Sequence, residues 1–371
     1  SNRSENKTES VRWSMNELKL VVLDNIEDLG NKVNEELKQM NNESEDYIIP
    51  ITRDRFSNGE GKIKIQGTVR DKDIYILSDV GNYSITYEMH GMKHFMAPDE
   101  HFQDIKRVIS AISGYANKIT VIMPLLYESR QHRRKGKESL DCAIALQELE
   151  RLGVNHIVTF DVHDPNVGNA IPTLPFENFY VTHETLNTLI DNENIDNLLV
   201  ISPDMGAMER ARYYAEMLDT DVGVFYKRRD LSQVVNGKNP IVEHTYLGPS
   251  VKDKNIIVVD DMIASGSSMI EVATYLKHHG AKKVYLAATF ALLTEGPKIF
   301  IDAYKEGLFD KLYATNLSYV PKQIRQLDWY EEVDMTEKLA RIINTMHDGK
   351  SLKPLFNGKE EILQKLAKNK K

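Results

Sequence analysis

Cysteine is almost absent. The 371 residues contain one, Cys142, which excludes an intramolecular disulfide and any cysteine-rich zinc site. Long apolar runs are also missing, and none approaches the roughly 20 residues that a helix needs to span a bilayer. Positive charge is in deficit: 47 Lys and Arg face 55 Asp and Glu, a formal net charge of −8. Broad affinity for nucleic acid or an anionic membrane is therefore not expected, although a local basic loop can still hold phosphates. The first dozen residues are polar and mixed in charge, without the apolar core of a signal peptide. A cytoplasmic protein is the expectation.

What is present is globular. Hydrophobic residues make up 41% and charged residues 27%, and the length suggests two domains at roughly 150 residues each. Short β-rich runs alternate with helical patterns. Residues 73–77, 120–123 and 156–160 read as strands. Phe102, Ile105, Val108, Ile109 and Ile112 recur at helical spacing, and 139–152 reads as a helix stopped by Gly153. Lys62-Ile63-Lys64-Ile65 alternates as a half-exposed strand does. The second half repeats the rhythm, with strands at 198–201, 222–226, 256–259 and 284–289, and helices at 207–218 and 267–278. Continuous apolar strands separated by helices predict parallel sheets covered on both faces, an α/β fold. Pro165, Pro172 and Pro175 mark a boundary near 165–180. At the end, Ile362, Leu363 and Leu366 among lysines fit a short amphipathic helix docked on its own chain.

Open parallel sheets bind ligands beyond the carboxyl ends of their strands, so the residues after each apolar run carry the interest. Val258-Val259 runs into Asp260-Asp261, then Ser265-Gly266-Ser267-Ser268, then a helix. A small-residue turn at a helix N-terminus presents backbone N–H groups to a phosphate, with serine hydroxyls as further donors. Asp260 and Asp261 would accept from sugar hydroxyls nearby. Arg130-Gln131-His132-Arg133-Arg134-Lys135, also past a strand, suits a polyphosphate because guanidinium forks match phosphate oxygens. Asp161-Val162-His163-Asp164 suggests a divalent-metal neighbourhood, although magnesium prefers oxygen ligands. Ser202-Pro203-Asp204-Met205-Gly206 repeats the strand, acid, glycine, helix order. Lys227-Arg228-Arg229 opens a long polar stretch to Gly248 that is expected to be a mobile functional loop.

Taken in order, these segments resemble ribose-phosphate pyrophosphokinase, over residues 18–356. Phe56, Asn58 and Glu60 match that family's adenine-contacting segment, which there reaches into a neighbouring subunit's site. Arg130 and Gln131 match its ATP loop, and Asp161-Val162-His163 its metal and triphosphate segment. Ser202-Pro203-Asp204 matches a segment near the ribose 5-phosphate metal. Lys227 and Arg229 fall on its flexible catalytic loop, and residues 260–268 on its phosphoribosyl loop.

The resemblance implies two tandem phosphoribosyltransferase-like α/β domains, each a largely parallel sheet flanked by helices. They would cover 14–170 (ATP loop) and 171–350 (ribose 5-phosphate and catalytic loops), with a C-terminal extension at 351–371. It implies pyrophosphoryl transfer from ATP, the co-substrate, to ribose 5-phosphate. Lys227 and Arg229 would be catalytic, and Phe56, Asn58, Glu60, Arg130, Gln131 and His163 would bind ATP. Asp260, Asp261, Ser265, Gly266, Ser267 and Ser268 would hold the sugar phosphate. His163 and Asp204 would serve Mg2+, and a homo-oligomer (dimer or hexamer of dimers) is implied, with no nucleic-acid or membrane partner.

The chain departs from the pattern at Ala264, where the family has a third aspartate, at Ser267-Ser268 for Gly-Thr, and at His132 for Asp. The stretch 81–95 and the lysine-rich tail exceed the pattern. These departures leave open a catalytically weak or inactive regulatory subunit. A phosphoribosyltransferase, which shares only the 260–268 loop, ranks third.

Overall fold

Strands buried on both faces organise each half of the chain. A computed structural model describes residues 16–193 and 195–369. The polar N-terminal dozen and the last two lysines of the tail lie outside the described residues. The chain divides into two compact units, one of residues 16–178 and 336–352, the other of residues 179–335 and 353–369.

The first unit begins with β1 (Leu18–Val22) and α1 (Glu27–Asn41), which buries Leu29, Val33 and Leu37 along one stripe. A hairpin, β2 (Ile51–Arg55) and β3 (Gly61–Ile65), follows as a separate two-stranded sheet. β4 (Asp73–Leu77) is buried throughout. The stretch 81–95 contains a second hairpin, β5 (Thr86–Met89) with β6 (Met92–Phe95). Its entry is pinned by buried polar groups. Asn25 Nδ2 donates to Ser78 Oγ at 3.0 Å, and His101 Nε2 lies 2.7 Å from the Asn82 carbonyl.

Helix α2 (Pro98–Ile112) starts with proline and two acids, as a helix N-terminus favours. It buries the apolar stripe expected from the sequence. β7 (Lys118–Ile122), α3 (Asp141–Arg151), β8 (His156–Phe160) and β9 (Phe176–Phe179) complete a sheet of order β1-β4-β7-β8-β9. The pairs β1–β4, β4–β7 and β7–β8 are parallel. Gly153 ends the α3 segment in the left-handed region (φ +98°).

The second unit holds α4 (Thr182–Asn192), β10 (Leu198–Ser202), α5 (Met208–Leu218), β11 (Val222–Arg229), β12 (Ile241–Leu247), β13 (Asn255–Ile263) and α6 (Ser267–His278). β14 (Lys283–Ala291), α7 (Lys298–Lys305), β15 (Lys311–Thr315), α8 (Lys322–Arg325) and β16 (Tyr330–Val333) follow. Its sheet runs β12-β11-β10-β13-β14-β15-β16, all parallel except the edge strand β12. The α/β fold with two mainly parallel sheets is therefore as the alternation implied.

One expectation fails. The stretch after Tyr226 is not an irregular loop throughout, because β11 continues to Arg229 and pairs antiparallel with β12. Apolar stacking explains the added strand: Phe225 carries both His244 (ring centroids 5.0 Å apart) and Tyr246 (5.3 Å) from β12.

Helix α9 (Thr336–His347) returns to the first unit, where Asn344 and Asn41 exchange amide hydrogen bonds at 3.0 and 2.9 Å. Helix α10 (Lys359–Asn369) packs on α4 and α5 with Ile362 buried, the docking that its amphipathic pattern predicted.

Candidate active site

In the second unit, the connection from β10 proceeds to β11 on one side, while β13 lies on its other side. That reversal opens a crevice at the carboxyl ends of β10 and β13, the place where open α/β sheets bind ligands. Asp204 follows β10, and Asp260 and Asp261 are the sixth and seventh residues of β13. The predicted acids are thus brought to one crevice.

The turn from β13 into α6 is held from both sides. Leu293 N–H donates to the Ile263 carbonyl and Thr294 N–H to the Ala264 carbonyl, both at 3.1 Å. Gly266 caps α6 at φ +88°, and a Cβ there would lie 2.2 Å from Phe300 Cε2. Only glycine satisfies both demands. Ser265 Oγ lies 3.1 Å from Ser267 Oγ and accepts from Ser267 N–H at 3.3 Å. No side-chain cap closes the start of α6, so the first-turn N–H groups beyond Ser267 are left to a ligand.

The carboxylates beside this turn repel one another. Burial pushes the Asp260 carboxyl well above the usual carboxylate range. The charge of Asp261 and a hydrogen bond with it push in the same direction, and Asp204 adds to them. Arg210 opposes them. Sequence reasoning missed Arg210; its signal was a cation in the first turn of α5, directly after the strand and acid of residues 202–204. Asp204 Oδ1 accepts from Ala207 N–H at 3.0 Å, and Ser202 Oγ donates to the Asp204 carbonyl at 2.6 Å. Among the described residues, no group of three or more His, Cys, Asp or Glu forms a ready-made metal cage.

The two cations expected to be catalytic part ways. Lys227 Nζ donates to Ser268 Oγ at 3.1 Å, so it stands over the turn. Arg229 Nη1 instead donates to the Asn239 carbonyl of its own hairpin at 3.0 Å. His244, opposite Lys227 in the ladder, was also missed. Burial and the Lys227 charge lower its pKa, and its Nε2 is buried without a hydrogen bond.

In the first unit, the loops after β7 and β8 leave neighbouring parallel strands. Both turn through strained left-handed backbone, at Glu128 (φ +57°) and Asp161 (φ +45°); non-glycine residues in this region concentrate at functional turns. The loops meet where the His132 and His163 rings approach to 5.2 Å. His132 Nε2 and Arg133 Nη2 lie 3.4 and 3.3 Å from the same Asp164 oxygen. Arg130 and His163 are exposed, and Gln131 Nε2 donates to the Ser139 carbonyl at 2.8 Å. Phe56, Asn58 and Glu60 sit apart, in the β2–β3 turn. There Asn58 Nδ2 donates to Glu60 Oε1 at 2.9 Å, Glu60 N–H donates to Asn58 Oδ1 at 3.1 Å, and Phe56 is 56% exposed.

Comparison with known proteins gives this arrangement a context. Residues 18–153 match the N-terminal domain of ribose phosphate pyrophosphokinase, and residues 182–305 match the phosphoribosyl transferase domain. The chain is 27% identical over 319 residues to a ribose-phosphate pyrophosphokinase of Mycoplasma pneumoniae, covering 85% of this chain and 90% of the relative. It is 28% identical over 309 residues to ribose-phosphate pyrophosphokinase 2 of Schizosaccharomyces pombe, covering 82% and 88%. The phosphoribosylpyrophosphate synthetase of Mycobacterium smegmatis has the same fold, with a TM-score of 0.74 over 90% of this chain and 99% of that one at 20% identity. A glycine-capped strand-to-helix turn beside acids at the second sheet's crevice, a two-loop basic edge on the first, and relatives matched over more than four fifths of both chains converge on one assignment: the chain belongs to the ribose-phosphate pyrophosphokinase family.

Proposed function

We propose that this protein transfers the pyrophosphoryl group of Mg-ATP to the 1-hydroxyl of ribose 5-phosphate, giving 5-phosphoribosyl 1-pyrophosphate and AMP. The observation that carries this reading is the glycine-capped turn at Gly266 beside Asp260 and Asp261, with Lys227 standing over it. Donors for a phosphate, acceptors for a diol and a mobile-length cation lie in one crevice of one unit.

The roles follow from that chemistry. Ser265, Gly266, Ser267 and Ser268 seat the 5-phosphate, and Asp260 and Asp261 accept from ribose hydroxyls. The 1-hydroxyl oxygen attacks the β-phosphorus while the bond to the α-phosphate oxygen breaks. AMP carries off that electron pair, and the hydroxyl proton passes to solvent. Lys227 and Arg229 stabilise charge on the transferring group, for which Arg229 must leave the Asn239 carbonyl. Arg130, Gln131 and His163 hold the triphosphate. Magnesium, when bound, neutralises the triphosphate oxygens. Asp204 beside Asp260 would offer it the oxygen ligands it prefers, and His163 of the first unit is the other residue that would serve it.

Phe56, Asn58 and Glu60 receive adenine in a homo-oligomer. An exposed Phe56 and the Asn58 and Glu60 side chains paired within the β2–β3 turn suit an occupant from another subunit. Along the sequence the proposed division is a domain at 14–170, a second at 171–350 and an extension at 351–371, with residues 336–352 belonging to the first compact unit in space, in a cytoplasmic enzyme. No helix among the described residues is long and apolar enough to cross a membrane.

Ala264 favours a second reading, an inactive regulatory subunit, because it removes a polar contact near the sugar. One assay separates the two. Purified protein with ATP, magnesium and ribose 5-phosphate should form AMP in step with the activated sugar; no product with any divalent metal overturns the catalytic reading.

A further inference from the structure

The stretch 81–95 exceeds the family pattern, and the reaction above assigns it nothing. Its hairpin, β5–β6, lies directly against the β2–β3 turn of the same unit, which carries Phe56, Asn58 and Glu60. Tyr87 and Met89 are two apart on β5 and so share one face of the hairpin. Both meet Gly59, at the middle of the turn. A Cβ there would lie 2.6 Å from Met89 Sδ and 3.8 Å from Tyr87 Cε2. The turn closes on itself through Phe56 N–H to the Glu60 carbonyl at 2.8 Å and Gly59 N–H to the Phe56 carbonyl at 2.9 Å.

Arg55, the last residue of β2, ties the turn, the hairpin and α2 together. Its Nη1 donates to the Gly59 carbonyl at 2.7 Å, and its guanidinium carbon stands 4.3 Å from the centre of the Tyr87 ring. Its Nη2 lies 3.5 Å from Glu100 Oε2, in the first turn of α2, and the side chain is only 12% exposed. A cation shielded from water gains most from an aromatic face. Tyr87 is braced within the hairpin, stacked on its cross-strand partner His94 with ring centroids 5.7 Å apart. His94 Nε2 in turn lies 3.2 Å from the Met89 carbonyl. The hairpin forms a two-stranded sheet of its own. Two strands alone are marginally stable, so the hairpin depends on what it packs against, and the contacts at Gly59 serve both partners.

We propose that the β5–β6 hairpin is the platform of the adenine-receiving turn, with Tyr87 and Met89 as positioning residues for ATP. Met89 backs Gly59, and Tyr87 fixes the guanidinium that grips the Gly59 carbonyl. The inference rests on the proposed reading that Phe56, Asn58 and Glu60 receive adenine. Neither Tyr87 nor Met89 is assigned a contact with the nucleotide. They hold the turn in the shape that offers Phe56, which lowers the cost of ordering it when the base arrives. Their effect is therefore confined to the base and does not extend to the triphosphate.

The test is calorimetric titration of the full chain, without sugar phosphate, using Mg-ATP and, as a probe lacking the base, magnesium tripolyphosphate. Tyr87→Leu and Met89→Ala should each weaken ATP binding at least fivefold and leave tripolyphosphate binding within twofold of wild type. Tyr87→Phe keeps the ring under Arg55 and should retain wild-type affinity for ATP. Melting curves confirm folding, and Met89→Ala decides alone if Tyr87→Leu fails to fold. Phe56→Ala is the control for the underlying reading and should also weaken ATP binding at least fivefold. If Phe56→Ala weakens ATP binding but the hairpin variants do not, the platform proposal is overturned and the adenine reading stands. Equal weakening of ATP and tripolyphosphate in the hairpin variants also overturns the proposal, since it marks a general structural role. Unchanged ATP affinity in Phe56→Ala overturns the adenine reading itself.

Discussion

Lys227 and Ser268, 41 positions apart, are joined by a 3.1 Å hydrogen bond from ammonium to hydroxyl. A strand of the edge hairpin thereby touches the first turn of α6, the helix proposed to seat the phosphate. Lys227→Ala should lower turnover on the order of a hundredfold or more, the scale of losing one preorganised donor. The melting temperature should barely move, since the side chain is only half-buried. Steady-state kinetics check this; near-normal turnover contradicts the assigned role.

Asp260 makes the crevice a source of instability. Its folded pKa is raised, by burial first and by Asp261 second. The folded chain therefore retains a proton that the unfolded chain releases. Stability is lost as pH rises above the unfolded carboxylate range and through the raised folded value. Asp260→Asn keeps the shape and removes the charge. It should match wild type near about pH 4 and gain on the order of 1 kcal/mol toward about pH 8, while losing affinity for ribose 5-phosphate. Denaturant melts at the two pH values decide it, and a gain that shrinks with rising pH is the contrary result.

Gly266 is constrained twice, by its positive φ and by Phe300 beneath it. Gly266→Ala should cost about 1–3 kcal/mol from backbone strain and more from the clash. Phe300→Ala opens that space, so the double variant should be less destabilised than the two single losses combined. Simple additivity in urea melts would show that the Phe300 contact carries no energy.

His183 Nε2 lies 2.9 Å from Glu361 Oε2 of α10, and its Nδ1 lies 3.9 Å from Glu184 Oε1. The Glu184 carboxylate beside it raises its pKa above the ordinary histidine value, against desolvation, and Glu361 adds to the rise. The pair's stabilisation is present in full below the unfolded histidine pKa and fades as pH rises through the folded one. The melting-temperature advantage of wild type over His183→Gln should accordingly shrink between about pH 6 and pH 8. An advantage that is constant over that range would remove His183 from the docking of α10.

The α/β class and most central strands were legible because β4, β8 and β10 are buried on both faces and read as unbroken apolar runs. Edge strands were not. β16 carries Glu331 and Glu332, and such charge on an edge protects it while hiding it from a hydrophobicity pattern. β12 was absorbed into a loop because its stabilising partner, Phe225, lies in another strand.

Of the candidate site, the Gly266 turn and its acids could be read from one short string, since neighbours in sequence build it. The separation of Lys227 from Arg229 could not. Residues two apart on a regular strand share a face, but the pairing slips between Arg228 and Arg229 and turns Arg229 toward Asn239.

The return of α9 has a consequence for how the protein is made. Asn344 and Asn41 clasp one another, and His347 Nδ1 reaches Asp73 Oδ2 at 2.8 Å, so the unit begun by the earliest residues is closed by some of the latest. During translation, the flank of α1 stays bare until the ribosome has passed His347, long after the second sheet's strands have emerged. Any messenger cut short before Thr336 yields two defects from one missing segment: an unfinished first unit and a bare apolar flank available for aggregation.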